Sequence, residues 1–232
     1  MANKLYIIHG WTYRPEPWHE VIKDLKELGV EAELLRVPGL GTKSDKVFTL
    51  DDYEKWAREK LPKGSIALGH SNGGRILLKL LSNDPNYLKG VILLDAAGIW
   101  EDSNRRIIMK KLAKTFAPLK KSKLARKLVH RVIGANDYEN APENMKVTLD
   151  NMINSDKELD LTKVTTPAQI IWGDADTTTP LRQGEKMHEL LKNSELTVKS
   201  GWRHSHYLVS TKELAEEIAD KYNKLSKAPK HA

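Results

Sequence analysis

The sequence predicts an α/β fold in which a mostly parallel sheet of about six strands is flanked by helices. Two observations predict it. Six short apolar runs of strand length recur along the 232 residues, and several of them are apolar on both faces, as in strands that are covered on both sides. Amphipathic segments such as Trp18–Leu28 and Leu50–Leu61 lie between most of these runs. Alternating strand and helix patterns are typical of a parallel sheet with helices on both faces.

The alternation also predicts how the chain is organised. The predicted strands are Leu5–Ile8, Ala32–Val37, Ile66–Leu68, Val91–Leu94, Ala168–Trp172 and Leu196–Val198. Residues 99–163, which follow the fourth run, carry helical patterns and no convincing strand. We therefore expect a core formed by residues 1–98 and 164–232, with residues 99–163 inserted after the fourth strand as a helical cap.

The positive charge of the chain is concentrated in the predicted cap. The net charge is +7, and residues 103–136 hold eleven Lys or Arg residues without any Asp or Glu. A nucleic-acid or membrane surface would explain such a cluster. Apolar residues at helical spacing in the same segment, among them Ile108, Leu112 and Phe116, favour a solvated helix face instead. We therefore expect no nucleic-acid partner.

Composition narrows the remaining classes of protein. The chain has no cysteine, which excludes disulfides, thiolate metal sites and a cysteine nucleophile. No apolar run approaches the roughly 18–20 residues that a membrane span needs, and we see no secretory signal, so a cytoplasmic location is expected. The pair His204 and His206 offers two metal ligands at most, and no phosphate-binding glycine loop occurs. Neither metal nor cofactor is expected, and the oligomeric state stays open.

The most informative segment is Gly69-His70-Ser71-Asn72-Gly73, which lies between a strand-length apolar run and a second apolar run at helical spacing. A strand that turns sharply into a helix lifts one serine hydroxyl to the tip of the turn. The glycines on either side lack the Cβ atoms that would clash there. The helix then begins behind the serine, with its positive N-terminal end facing any developing oxyanion. The pattern predicts a nucleophile at Ser71.

Other reactive side chains also follow predicted strands. In open α/β sheets, ligands bind outside the carboxyl ends of the strands. His9 follows the first strand, Asp95 the fourth, Asp174 and Asp176 the fifth, and His204 and His206 the last. A serine hydroxyl needs a nearby base, and the base needs a carboxylate that fixes its tautomer. Ser71, one late histidine and one late aspartate supply such a set.

A tetrahedral intermediate also needs donors for its oxyanion. We expect one backbone N–H from Asn72, directly after the nucleophile, and one from Trp11, in the loop after the first strand. His9 and His70 are expected to serve packing and loop bonding. Trp100 and Trp202 lie near strand ends and are candidates for lining a pocket.

Four segments in this order resemble the α/β-hydrolase superfamily, in its compact, capped form. They are His9-Gly10-Trp11, Pro38-Gly39-Leu40-Gly41-Thr42-Lys43-Ser44, Gly69-His70-Ser71-Asn72-Gly73-Gly74, and Trp172-Gly173-Asp174-Ala175-Asp176 with Pro180. The family pattern selects Asp176 as the acid and leaves Asp174 as a turn residue. Asp95 stands where a minority of relatives place the acid. Counting back from the helix start at Thr211 selects His204 as the base, with His206 as the rival.

The resemblance implies a serine hydrolase with carboxylesterase-like activity on a small-molecule acyl substrate. Ser71, His204 and Asp176 would be catalytic, and Trp11 and Asn72 would form the oxyanion hole. C–C bond, lactone and thioester hydrolysis on the same residues remain open, as does a non-catalytic receptor that retains the fold. The identity of the acyl group and of the leaving group is not contained in the motifs.

Overall fold

The computed structural model describes residues 4–100 and 141–227. Its centre is a six-stranded sheet in which every pair of neighbouring strands is parallel. The strands are β1 Leu5–Ile8, β2 Ala32–Leu35, β3 Ile66–His70, β4 Gly90–Leu94, β5 Ala168–Gly173 and β6 Ser194–Lys199, in the spatial order β2-β1-β3-β4-β5-β6. The predicted α/β fold class with a parallel sheet is confirmed.

The helices cover both faces of this sheet. They are α1 Trp18–Glu27, α2 Leu50–Lys60, α3 Asn72–Asn83, α4 Glu143–Ser155, α5 Leu181–Leu190 and α6 Thr211–Lys227. On one face, α1 and α6 pack over a cluster that includes Leu5, Leu68 and Ile171. On the other face, residues of α2, α3, α4 and α5 share a cluster with Ile8 and Ile170. Side chains alternate between the two faces along each strand because successive Cβ atoms point in opposite directions.

Every strand except the first differs from the sequence prediction at one end or at both, and the second and the last strand show why. The second strand ends at Leu35 rather than Val37, because the amide of Val37 donates to Nε2 of His9 at 3.1 Å and leaves the sheet ladder. The last strand spans six residues, Ser194–Lys199, where the prediction had Leu196–Val198. It lies at the edge of the sheet, where its polar residues face solvent. The apolar run from which it was predicted therefore covers only part of the strand.

Part of the predicted cap lies within the described residues. There, α4 is followed by two short 3-10 helices, Asp156–Glu158 and Leu161–Lys163, and then by β5. The basic segment at residues 103–136 lies outside the described residues. Among the described helices, none is long and apolar enough to cross a membrane.

The chain order places the switch point of the sheet between β1 and β3. The chain runs from β1 outward to β2 on one side and then crosses to β3 on the other side. At such a point the loops after the two neighbouring strands diverge and leave a crevice at their carboxyl ends. Ser71 follows β3 and His9 follows β1, so both lie at this crevice.

Candidate active site

Ser71 occupies a strained turn between β3 and α3. Its backbone has φ 52° and ψ −118°, a conformation that costs a residue with a Cβ atom about 1–3 kcal/mol. The turn is possible because the chain packs tightly around it. A Cβ atom at Gly73 would lie 2.1 Å from the carbonyl oxygen of Ile8, and one at Gly69 would lie 2.6 Å from the amide nitrogen of Gly74. Both positions therefore require glycine.

His204 joins Ser71 to a carboxylate. Its Nε2 lies 2.9 Å from Oγ of Ser71, and its Nδ1 lies 2.7 Å from Oδ2 of Asp176. A carboxylate accepts only, so Nδ1 carries the proton and donates it to Asp176. Nε2 is then free of a proton and accepts a hydrogen bond from the serine hydroxyl. This is the arrangement in which an imidazole removes a proton from a serine.

Asp176 is held as an anion by short hydrogen bonds. Its Oδ1 accepts from the amides of Thr178 at 2.6 Å and Thr179 at 3.1 Å. Its Oδ2 accepts from the hydroxyl of Thr179 at 2.7 Å. Burial alone would raise the pKa of Asp176, but the charge of His204 and these hydrogen bonds outweigh burial and hold that pKa below its ordinary value.

The electrostatics of His204 follow from the same contacts. Burial of the imidazole lowers its pKa, but the neighbouring carboxylates, Asp176 first and Asp95 second, outweigh burial. The net effect raises the pKa of His204 above 6.5. A base that holds its proton more tightly than free imidazole is a stronger acceptor for the serine proton.

The expected oxyanion donors flank Ser71. Asn72 is the first residue of α3, where backbone N–H groups have no intrahelical partner and the helix dipole favours negative charge. The loop that carries Trp11 runs directly beside the serine, because a Cβ atom at Gly10 would lie 3.0 Å from Cβ of Ser71. Their assignment as oxyanion donors remains a prediction.

Two rival residues make other contacts. Oδ1 of Asp174 accepts from the amide of Gly201 at 2.7 Å, which stabilises a turn. The ring of His206 stacks on Trp202 with centroids 3.8 Å apart, and its Nε2 lies 3.2 Å from Glu213. Trp202 itself is only 3% exposed and packs in the cluster under α6.

His9 and His70 form hydrogen bonds with the backbone of the loops around the site. Nδ1 of His9 donates to the carbonyl of Gly10 at 2.8 Å, while Nε2 accepts from the amide of Val37 at 3.1 Å. Nε2 of His70 donates to the backbone carbonyl of His204 at 2.7 Å. Burial lowers the pKa of His9 to about 4 and that of His70 to about 3, so both rings are neutral at physiological pH.

Asp95 lies beside this site, completely buried. Its Oδ1 accepts from the amide of Gly173 at 2.9 Å, which ties the end of β4 to β5. With His70 and His204 it forms a group of three possible metal ligands whose N and O atoms lie within 4.8 Å of one another. Both nitrogens of His204 and Nε2 of His70 are already hydrogen-bonded to protein atoms.

A buried polar cluster ties α4 to the turn at Ser71. Arg75 donates from Nε and from a terminal nitrogen to the two carboxylate oxygens of Asp156, at 2.6 and 2.9 Å. Its other terminal nitrogen donates to Oδ1 of Asn72. Nδ2 of Asn72 lies 3.4 Å from the sulfur of Met152 in α4. The predicted motifs give no signal for Arg75 or Asp156, because the two residues are 81 positions apart.

Comparisons with known proteins agree with this architecture. A model of the alpha/beta hydrolase fold family matches residues 3–116. A pimeloyl-[acyl-carrier protein] methyl ester esterase from Nitrosomonas europaea is 22% identical over 230 residues, which cover 88% of this chain and 89% of that protein. Its counterpart from Neisseria meningitidis is 23% identical over 227 residues, 89% of this chain and 88% of that protein.

Solved structures show the same fold. A thermophilic esterase from Thermogutta terrifontis superposes with a TM-score of 0.65 at 17% identity, over 97% of this chain and 91% of that one. The parallel sheet, the strained serine turn at its carboxyl edge and these similarities lead to one conclusion. The chain has the α/β-hydrolase fold.

Proposed function

We propose that this protein is a serine hydrolase that cleaves carboxylic esters through an acyl-enzyme intermediate. The observation that carries the proposal is the continuous set of hydrogen bonds from Ser71 through His204 to Asp176. The strain at Ser71 supports it, because backbone strain in a residue with a side chain persists where the surrounding structure enforces it, and such residues cluster at active sites.

In the proposed reaction, Oγ of Ser71 attacks the ester carbonyl while Nε2 of His204 takes the hydroxyl proton. The backbone amides of Asn72 and Trp11 stabilise the oxyanion. His204 then gives its proton to the departing alkoxide, which leaves as an alcohol. The acyl group stays bound to Oγ of Ser71. A water molecule then attacks this ester while His204 takes its proton, and His204 returns that proton to Oγ of Ser71 as the acid is released. Asp176 keeps His204 in the required tautomer and stabilises its cationic form.

The relatives indicate a first substrate class. Both are named as esterases of a methyl ester, which has a very small leaving alcohol. We extend this to a proposal that the chain acts on small-molecule acyl substrates, with residues 99–163 as a cap that selects the acyl group. Lactone, thioester and C–C substrates are the alternatives, because the same proton transfers serve each of them.

The experiment is hydrolysis of p-nitrophenyl esters from acetate to decanoate by the wild type, by Ser71→Ala and by Ser65→Ala. Ser65 directly precedes the same strand, which makes it a matched control for replacing a serine. We expect Ser71→Ala to lower kcat by at least 10³-fold and Ser65→Ala to lower it less than threefold. Equal turnover by Ser71→Ala and the wild type would overturn the proposal.

The alternatives are separated by a substrate panel. Methyl esters, a lactone, an acyl thioester and a vinylogous diketone of matched acyl length are compared by kcat/KM. Preference for the methyl ester supports the esterase assignment. Preference for another member replaces it while retaining the serine mechanism, and tight binding of a substrate without turnover would support the receptor alternative.

A further inference from the structure

A buried guanidinium group lies one helical turn behind the proposed nucleophile. Arg75 is in the first turn of α3, which begins at Asn72, and its side chain is only 5% exposed. It donates to both carboxylate oxygens of Asp156, at 2.6 and 2.9 Å, and to Oδ1 of Asn72. Residues three apart lie on the same face of a helix, so Arg75 joins Asn72 in its own helix to Asp156 at the end of α4. The proposed reaction gives this side chain no task.

Stability alone is a weak reason for this ion pair. Two buried charges lose their hydration, and apolar side chains of similar size often give equal or greater stability in the same place. The helices α3 and α4 already share an apolar cluster that includes Ile76 and Met152. A guanidinium group, however, presents its donors in a rigid planar fork that matches a carboxylate at two points. The ion pair therefore adds to the packing a defined position for the groups that it joins.

The side chain of Asn72 is held from two directions. Its Oδ1 accepts from Arg75, and its Nδ2 lies 3.4 Å from the sulfur of Met152 in α4. The helix α4 is itself anchored to the core, because the hydroxyl oxygen of Thr148 accepts from the amide of Phe48 at 2.9 Å. The amide group of Asn72 thus has a defined orientation between α3 and α4.

The peptide that joins Ser71 to Asn72 carries the N–H group proposed as an oxyanion donor. The carbonyl oxygen of this peptide accepts from three backbone amides, those of Gly74 at 2.9 Å, Arg75 at 3.3 Å and Ala97 at 2.9 Å. The other end of the peptide is the Cα atom of Asn72, which carries the side chain that Arg75 holds. The direction of the N–H group therefore depends on the backbone contacts at one end and on Arg75 at the other.

We propose that Arg75 is a positioning residue for the oxyanion hole. It fixes the N–H donor of Asn72 through the side-chain amide of Asn72, and Asp156 fixes Arg75 in turn. This inference rests on the proposed function, and no proton of the reaction passes through Arg75. Misplacing a catalytic group by about 1 Å can lower the rate by about 10²-fold. Because an oxyanion donor acts on charge that develops in the transition state, loss of Arg75 should lower kcat and leave KM nearly unchanged.

The test uses the double variant Arg75→Met with Asp156→Leu, which removes both charges. We expect its free energy of unfolding to recover most of what Arg75→Met alone loses. Its kcat on p-nitrophenyl butyrate should nevertheless remain about tenfold or more below that of the wild type, with KM changed less than about threefold. Urea unfolding and steady-state kinetics on the same preparations separate the two effects.

A matched control lies at the other end of α3. There Glu54 accepts from Nε and a terminal nitrogen of Arg58 at 2.9 and 2.8 Å, and from Nδ2 of Asn83 at 2.5 Å. Asn83 is the last residue of α3, so this cluster has the same chemistry as the first one but lies far from Ser71. The double variant Arg58→Met with Glu54→Leu should change kcat less than about threefold.

Action through Asn72 is tested with Asn72→Ala, which removes the side chain and keeps the backbone N–H group. We expect Asn72→Ala alone to lower kcat, and to cause little further loss when it is added to the double variant at Arg75 and Asp156, because both changes remove the same restraint. A second readout is inhibition by 1-butaneboronic acid, whose adduct with Oγ of Ser71 places an oxygen at the oxyanion position. Its Ki should rise in each variant by about the factor by which kcat falls.

Recovery of kcat together with stability in the double variant would overturn the inference, because the cluster would then serve stability alone. Losses from Asn72→Ala and from the double variant that simply multiply would also overturn it, since Arg75 would then not act through Asn72. Failure of the proposed function gives a different result, namely wild-type hydrolysis that survives Ser71→Ala.

Discussion

Nε2 of His70 donates a 2.7 Å hydrogen bond to the backbone carbonyl of His204, so the residue before the serine fixes the loop that carries the histidine. The two rings also lie 4.9 Å apart at their centroids. Trp18 and Tyr207 pack against His70 on its other sides. Because His70 is next to Ser71 in the chain, this single contact sets the position of the proposed base relative to the proposed nucleophile.

Replacing His70 should therefore impair turnover more than binding. We expect His70→Leu to lower kcat at least tenfold with KM changed less than threefold, because the carbonyl of His204 loses its donor and small displacements of a catalytic group are costly. His70→Gln retains an N–H donor and should recover part of the loss. Steady-state kinetics of the two variants provide the measurement, and equal kcat for both would argue against the hydrogen bond as the cause.

The pH dependence of turnover follows from His204. The base must be neutral to accept the serine proton, and the pKa of His204 is raised above 6.5 mainly by Asp176 against the opposing effect of burial. We expect kcat/KM to rise with pH and to reach half of its maximum above pH 6.5. Initial rates between pH 5 and pH 9, normalised for the spontaneous hydrolysis of the ester, measure this midpoint. A midpoint below 6.5 would show that Asp176 does not outweigh burial in setting the pKa of His204.

The stability of the folded protein should depend on pH through both His204 and Asp176, and the two dependences run in opposite directions. The raised pKa of His204 contributes stability that is complete below about pH 6.5 and is lost as the pH rises through its folded-state pKa. The lowered pKa of Asp176 contributes stability that is present above about pH 3.9 and is lost as the pH falls through its folded-state pKa. Both contributions coexist between these limits.

The buried pair of Arg75 and Asp156 gives a stability prediction. Each side chain is only 5% exposed, so Arg75→Met alone leaves an unpaired buried carboxylate and should lower the free energy of unfolding by about 3–5 kcal/mol. The double variant Arg75→Met with Asp156→Leu removes both charges and should recover most of that loss. Urea unfolding followed by circular dichroism measures both. Additive losses in the double variant would show that the ion pair is not what stabilises this contact.

The sequence was sufficient to place the reactive side chains at the carboxyl edge of the sheet. The apolar runs at Leu5–Ile8 and Ile66–Leu68 identify buried strands without any knowledge of what packs against them. It did not contain the contacts that orient those side chains. The hydroxyl of Thr179 meets His204 across 25 residues of sequence, and His70 meets the His204 carbonyl across 134. Such contacts depend on how the loops after different strands converge, which no local pattern encodes. The catalytic roles of Ser71, His204 and Asp176 remain predictions for the variants to test.

The end of the second strand shows the same limit on a smaller scale. Val37 continues an apolar run and its propensity favours strand, yet its amide donates to the ring of His9 from another strand end. A side chain 28 positions away has taken the hydrogen bond that the sheet would have used. Propensity alone has no access to such a competitor.

The site is formed by segments that follow four different strands of the parallel sheet, namely the loop at Gly10, Ser71, Asp176 and His204. These segments meet only after strands far apart in sequence have paired, and parallel pairing forms late because long loops must close first. Covalent labelling of Ser71 by a fluorophosphonate would thus report completion of folding rather than formation of secondary structure. Reactivity regained after dilution from denaturant would count molecules in which every one of these crossovers is correctly made.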